Sequence, residues 1–207
     1  MTIDQKTIQR RKSRKKTAVI KAATEEFLTY GFYGTSMDRI AEAANVSKRT
    51  VYDHFPSKED LFQAIADKIL QRIGEMPSHP YAREKPLDEQ LLEIGNTFAT
   101  TITDKGFIKL SRVVIGRFIQ TSDSAHRTAR AHTRLRQDML AFFKAGKRDG
   151  RLNIANPEQA ATKFAGLIKE TAFWPAVTVG QAPISSRQRK AVVKSAVDMF
   201  LAHYCSR

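Results

Sequence analysis

A chain of 207 residues with 42% hydrophobic and 27% charged side chains has the balance of an ordinary globular protein. It is long enough to bury a sizeable core, as one extended unit or as a small domain plus a larger one. The single cysteine, Cys205, excludes an intramolecular disulfide and a cysteine-rich zinc site, and the formal net charge of +14 directs attention to anionic partners.

That charge is unevenly spread. Residues 1–21 hold eight basic residues against one acidic, residues 22–60 hold four against seven, and residues 61–207 hold 23 against 13. Six of the seven residues from Arg10 to Lys16 are basic. Such a run reads as a solvated, mobile tail or, beside a DNA-reading element, as a flexible arm. In the arm, Arg10, Arg11, Lys12 and Arg14 would neutralise phosphates or enter a minor groove. No apolar stretch follows the basic start as a signal peptide would require. The longest uncharged window, Thr171 to Ser186, is short and broken by Pro175, Gly180 and Pro183. A cytoplasmic protein without membrane contact is expected.

Helix periodicity begins at about Ser13 and runs to Tyr30, with Ile20, Ala23 and Phe27 inward and Gly31 as the stop. Next, Met37, Ile40, Ala41 and Ala44 recur on one helical face, with Thr35 expected as N-cap and Asp38 completing a capping box. Asn45 tolerates the left-handed conformation of a tight turn. Ser47 then caps a second short helix whose inner face is Val51 and Phe55, leaving Lys48, Arg49, Thr50, Tyr52 and His54 to point elsewhere. Small Ala41 permits a close crossing. The pair reads as a helix-turn-helix with a donor-rich second helix; the alternative is two ordinary helices of a bundle with a solvated face.

Pro56-Ser57 starts another helix with Leu61, Phe62, Ile65 and Ile69 buried, fading near Gly74. Residues 76–86, with three prolines, form the clearest connector. Beyond it, Leu87, Leu91, Ile94, Phe98 and Ile102 make one apolar stripe, and further helices are expected over about Phe107 to Gln120 and Ser124 to Lys147. Gly150 opens a turn. Pro157 starts a helix over 157–174 that Pro175 kinks or ends, and a last helix spans about Ser186 to Tyr204. No strand-like alternation or internal repeat is evident.

The run from Lys16 to Phe62 closely resembles the DNA-binding domain of the TetR family of bacterial transcriptional regulators. The resemblance rests on Phe27-x-x-Tyr-Gly31-Phe-x-Gly34-Thr-Ser, Ile40-Ala41, Val46-Ser47, Thr50-Val51-Tyr52-x-His54-Phe55 and Ser57-Lys58-Glu59-x-Leu61-Phe62. It covers about the first third of the chain. Arg49 departs from the small residue that many relatives carry there, so the base preference does not transfer. The segment from Gly150 to Leu167 resembles the AefR-type subgroup.

The resemblance implies an all-α protein with three regions. Residues 1–16 would be the basic arm, 17–62 a three-helix helix-turn-helix DNA-binding domain, and 63–207 a helical bundle for ligand binding and dimerisation. It also implies a homodimer on double-stranded palindromic operator DNA, expected to repress and to be released by an unidentified small-molecule effector. Lys48 and Arg49 are the candidates for base edges, Arg49 because arginine pairs bidentately with guanine. Ser47 and Thr50 would lie against base or backbone, and Thr35, Ser36, Tyr52, His54 and Lys58 would clamp phosphates as the matching family positions do. For an effector pocket the candidates are Phe98, Ile102, Phe107, Leu110, Ser111, Val114, Phe118, Phe143, Phe164, Ile168 and Trp174, with plain core as the competing reading.

Catalysis, metal and cofactor find no support. The histidines at 54, 79, 126, 132 and 203 show no ligand spacing, and no glycine-rich phosphate loop or GxSxG elbow occurs. The other readings are an architectural DNA binder without sequence preference, a regulator governed by a protein partner, and an enzyme built on a helical bundle, which would need a clustered polar site inside the C-terminal core.

Overall fold

The basic run from Arg10 to Lys16 is helical. In the computed structural model, which describes residues 5–120 and 133–205, helix α1 spans Gln5–Gly34 and is broken at Gly31, whose φ of 73° and ψ of 170° lie outside helical values. Val19, Ile20, Ala23 and Phe27 supply its buried face. The turns before it are exposed, and their arginines, lysines and glutamines are good helix formers that extend an already nucleated helix. The flexible arm expected over residues 1–16 is therefore, from Gln5 on, the first part of α1.

Helices α2 (Met37–Ala43) and α3 (Lys48–His54) follow, and both pack on α1 and on each other. Met37, Ile40 and Ala41 are the buried residues of α2, and Val51 is that of α3. Between them Asn45 adopts φ 51°, as the turn required. Ser36, not Thr35, caps α2, accepting a 3.2 Å hydrogen bond from the Arg39 N–H. Thr35 is buried instead, its hydroxyl directed at the Gly31 and Glu26 carbonyl oxygens, 2.8 and 3.1 Å away.

Helix α4 (Lys58–Gly74) buries Leu61, Phe62, Ile65 and Ile69, and α5 (Leu87–Ile102) buries the expected stripe. Helix α6 is Lys105–Gln120. The described chain divides into two compact units, residues 5–69 with 109–120, and residues 70–108 with 133–205. The division falls inside α4 and inside α6, not at 62/63, because most of α6 packs with the helix-turn-helix unit. There Phe118 meets Phe62 edge-on at 6.3 Å and Lys109 pairs with Glu25 at 2.5 Å.

The second unit adds α7 (Thr133–Arg148), α8 (Pro157–Ala172), α9 (Trp174–Thr178) and α10 (Ser186–Tyr204). Of the helix expected over Ser124 to Lys147, residues 124–132 lie outside the described residues. Helix α5 packs on α8 and α10, and α7 on α8. At the centre Phe143, Phe164 and Phe200 stack, with ring centroids 4.9 to 6.1 Å apart. A Cβ at Gly95 would stand 2.6 Å from Val193 Cγ1, so glycine is what lets α5 lie this close to α10. Asn156 caps α8 and Ser185 caps α10 with a complete capping box.

The helix expected over 157–174 ends at Ala172. Phe173 leaves helical geometry at φ −120°, ψ −55°, and Pro175 sits in the first turn of the short α9. A missing N–H is harmless there. The connector is tied down within its unit: the Gln90 side chain binds Ala82 through both N–H and C=O, and the Tyr81 hydroxyl donates to Asp149 at 2.5 Å. Among the described residues there are no strands beyond an isolated bridge between Leu152 and Cys205. No described helix is long and apolar enough to cross a membrane.

Candidate nucleic-acid interface

With Val51 as its single buried residue, α3 turns the rest of its surface outward or half outward. Ser47 starts it, accepting from the Thr50 N–H at 3.2 Å while the two hydroxyls share a 2.9 Å hydrogen bond. Both hydroxyls are thus oriented by the cap. Lys48, Arg49 and Tyr52 are exposed side by side on the first two turns.

The two cations behave differently. Lys48 Nζ lies 2.7 Å from Asp38 on α2, and that hydrogen bond raises the ammonium above its usual range. Arg49 has only a loose contact, 3.9 Å to Asp53, and its side chain is 91% exposed. Arg49 is the freer of the two to reach a base edge.

His54 closes the helix near the basic end of α1. Burial lowers its pKa, and Lys12 and Lys16 lower it further, against a smaller opposing effect of Asp53. Lys16 Nζ lies 5.7 Å from the centre of the Phe55 ring. The structure therefore brings Lys12, Lys15 and Lys16 to the C-terminal end of α3. Arg10, Arg11 and Arg14 are exposed on the turns before.

On the other side, Ser36 is at the N-terminus of α2, but Thr35 and Lys58 are turned inward. The Thr35 hydroxyl proton is committed to carbonyl oxygens, and Lys58 Nζ donates to the Thr35 carbonyl at 2.7 Å and lies 4.6 Å from the Phe32 ring centre. Sequence reasoning missed Arg39, which pairs with Glu26 at 3.0 Å and covers the Tyr30 ring at 3.7 Å. It missed Arg117 of α6, whose guanidinium lies 3.5 Å from the Phe32 centroid. Neither has a local signature, since each partner is distant in sequence or on a different element.

The proposed pocket residues are dispersed. Phe143 and Phe164 belong to the Phe200 stack; Phe98, Ile102, Phe107 and Ile168 are buried in the same unit. Trp174 is half-buried beside Phe173. Leu110, Ser111, Val114 and Phe118 lie on the part of α6 that packs with the helix-turn-helix unit. A small cleft in the second unit has other walls: Ile73, Met76, Ile94 and Met139, with His79, Thr97 and Asp138 as polar groups. His79 Nε2 and Thr97 Oγ1 are 2.9 Å apart there.

Such a short helix, capped and exposed beside a second one across the Asn45 turn, defines a helix-turn-helix. Residues 19–65 match the bacterial regulatory proteins of the tetR family, and residues 89–206, more than half the chain, match the C-terminal domain of AefR-like transcriptional repressors. The chain belongs to the TetR family, with an AefR-like C-terminal domain.

A TetR family transcriptional regulator from Pseudomonas syringae pv. tomato str. DC3000 is 39% identical, with a TM-score of 0.78 over 92% of this chain and 97% of that one. The HTH-type transcriptional regulator RutR of Escherichia coli (strain K12) is 47% identical over 58 residues, 28% of this chain and 27% of RutR. YhgD of Bacillus subtilis (strain 168), also an HTH-type transcriptional regulator, is 32% identical over 95 residues, 42% of this chain and 50% of YhgD. The chain thus spans half or less of the curated relatives it matches.

Proposed function

We propose that this regulator is a cytoplasmic homodimeric repressor that binds a palindromic operator and is released by a small molecule held in the C-terminal unit. The observation that carries the reading is α3, which buries one residue and presents Lys48, Arg49 and Thr50 on a hydroxyl-capped first turn. Arg49 and Lys48 read base edges in the major groove. Ser36, Ser47, Tyr52 and His54 fix register on phosphates, and Arg10, Arg11, Lys12 and Arg14 add cationic contacts from a preformed helix. Two-fold symmetry of the protein would be mirrored in the operator. Effector control is a population shift, in which the bound molecule favours a geometry that no longer fits successive grooves.

Fluorescence anisotropy on DNA from the protein's own upstream region, at physiological salt and with excess random competitor, tests this. Binding that survives the competitor and is abolished by a screened small molecule is expected. Binding that the competitor removes, with no preferred sequence emerging from selected random DNA, would replace the reading with a non-specific architectural binder.

A further inference from the structure

We propose that Arg117 is a positioning residue for DNA binding, acting through the Phe32 ring to hold the corner from which α2 starts; the proposal rests on the DNA-reading role given above. Gly31 breaks α1 with a positive φ, and the three residues after it carry the chain round to Thr35 and Ser36. Phe32 is the hub of that corner. Its ring lies 5.3 Å from Phe27, 5.8 Å from Phe62 and 5.5 Å from Tyr33.

Two cations sit on the same ring, Lys58 Nζ at 4.6 Å and the Arg117 guanidinium at 3.5 Å from its centroid. Arg117 also lies 4.8 Å from the Tyr33 centroid and 5.8 Å from that of Phe62, so one planar group touches the end of α1 and the start of α4 together. Its Nη1 is shielded from solvent. A flat, weakly hydrated guanidinium suits this place; a lysine ammonium would keep the charge and lose the stacking.

The corner matters because what it positions has little burial of its own. The ring-bound Lys58 donates to the Thr35 carbonyl, the Thr35 hydroxyl reaches back to Gly31, and Ser36 then caps α2. Helices α2 and α3 have seven residues each and bury three and one of them. Their orientation is set from outside. A loosened corner leaves fewer molecules in the DNA-competent arrangement, and apparent affinity falls by that fraction.

The test compares wild type, R117A and R117K on selected operator DNA across a salt series, with hydrogen exchange of the amides of residues 32–41. R117A is expected to bind about tenfold more weakly at every salt concentration, with an unchanged salt slope, and R117K to fall between. Amides 32–41 exchange faster in R117A without DNA, while emission of Trp174, the sole tryptophan, is unchanged. Wild-type affinity in R117A, with unchanged exchange, overturns the proposal alone. A salt slope reduced by about one makes Arg117 a phosphate contact and also overturns it. If wild type shows no preferred sequence, the repressor reading fails, and exchange at residues 32–41 then decides whether Arg117 holds the corner. Should R117A not fold, R117K carries each comparison.

Discussion

Helices α3 and α5 follow opposite rules. α5 buries half of its sixteen residues, and at Gly95 it approaches Val193 more closely than any side chain would permit. α3 buries only Val51 of seven. The first is held by its own apolar face; the second is held by its caps, by α2 and by the ring cluster beyond. Burial and readout compete for the same surface, so an element proposed to meet DNA borrows its stability from neighbours. Changes in α5 and its partners should therefore be read in stability, and changes in α3 in binding.

The largest effect expected from that contrast is F164A. Removing a fully buried ring from the Phe143–Phe200 stack should cost about 3–5 kcal/mol in denaturant unfolding. A loss below that range would mean the second unit collapses around the cavity. R49A should leave unfolding unchanged and weaken binding by about 1–3 kcal/mol at one operator position, seen as relaxed preference in competition anisotropy. Uniform weakening on all sequences would make Arg49 a phosphate contact.

S36A should cost about 1 kcal/mol of stability through the lost α2 cap; a silent S36A would hand the cap to Thr35. Deleting residues 1–12 removes Lys6, Arg10, Arg11 and Lys12 and should flatten the salt dependence of binding. An unchanged slope would take this end of α1 off the DNA.

The smallest effect is set by pH, in the second unit. Burial raises the Asp104 carboxyl, but hydrogen bonds from the Phe107 N–H and Arg72 outweigh it and leave its pKa lowered. A folded-state pKa below the unfolded value gives stability that is present above the unfolded value and lost as pH falls through the folded one. The stability gap between wild type and D104N should therefore be open at neutral pH and close in acid below about pH 4. A gap independent of pH would mean that neither the Phe107 N–H nor Arg72 favours the ionised Asp104 carboxyl.

Much of this was legible in the sequence because its signals are local. The apolar stripe of α5, the Asn45 turn, the proline at the start of α8 and the span of α10 each rest on neighbours within a few residues. The cap of α2 was not, since Thr35 and Ser36 are both good caps and only the carbonyl oxygens of Gly31 and Glu26 select which one turns inward. Nor was the allegiance of α6. Its apolar period is the same whichever unit it joins, and the contact of Arg117 with Phe32 spans too much chain to leave a pattern. The helicity of the basic start was masked by charge: a run of arginine and lysine suggests a tail, although both residues favour a helix that is already nucleated.

The ion pair between Lys48 and Asp38 has a consequence for target search. Random DNA vastly outnumbers any operator, so dwell time on wrong sequences matters as much as grip on the right one. The segment from residue 22 to 60 carries more acidic than basic residues, and Asp38 occupies one of its few cations. On the proposed reading, the basic turns of α1 hold the protein near the duplex while the reading head gives it little reason to linger. On that reading a base-edge acceptor that replaces the Asp38 oxygen would let Lys48 change partners at little loss, whereas a step that offers none would leave the pair shut and the protein free to move on.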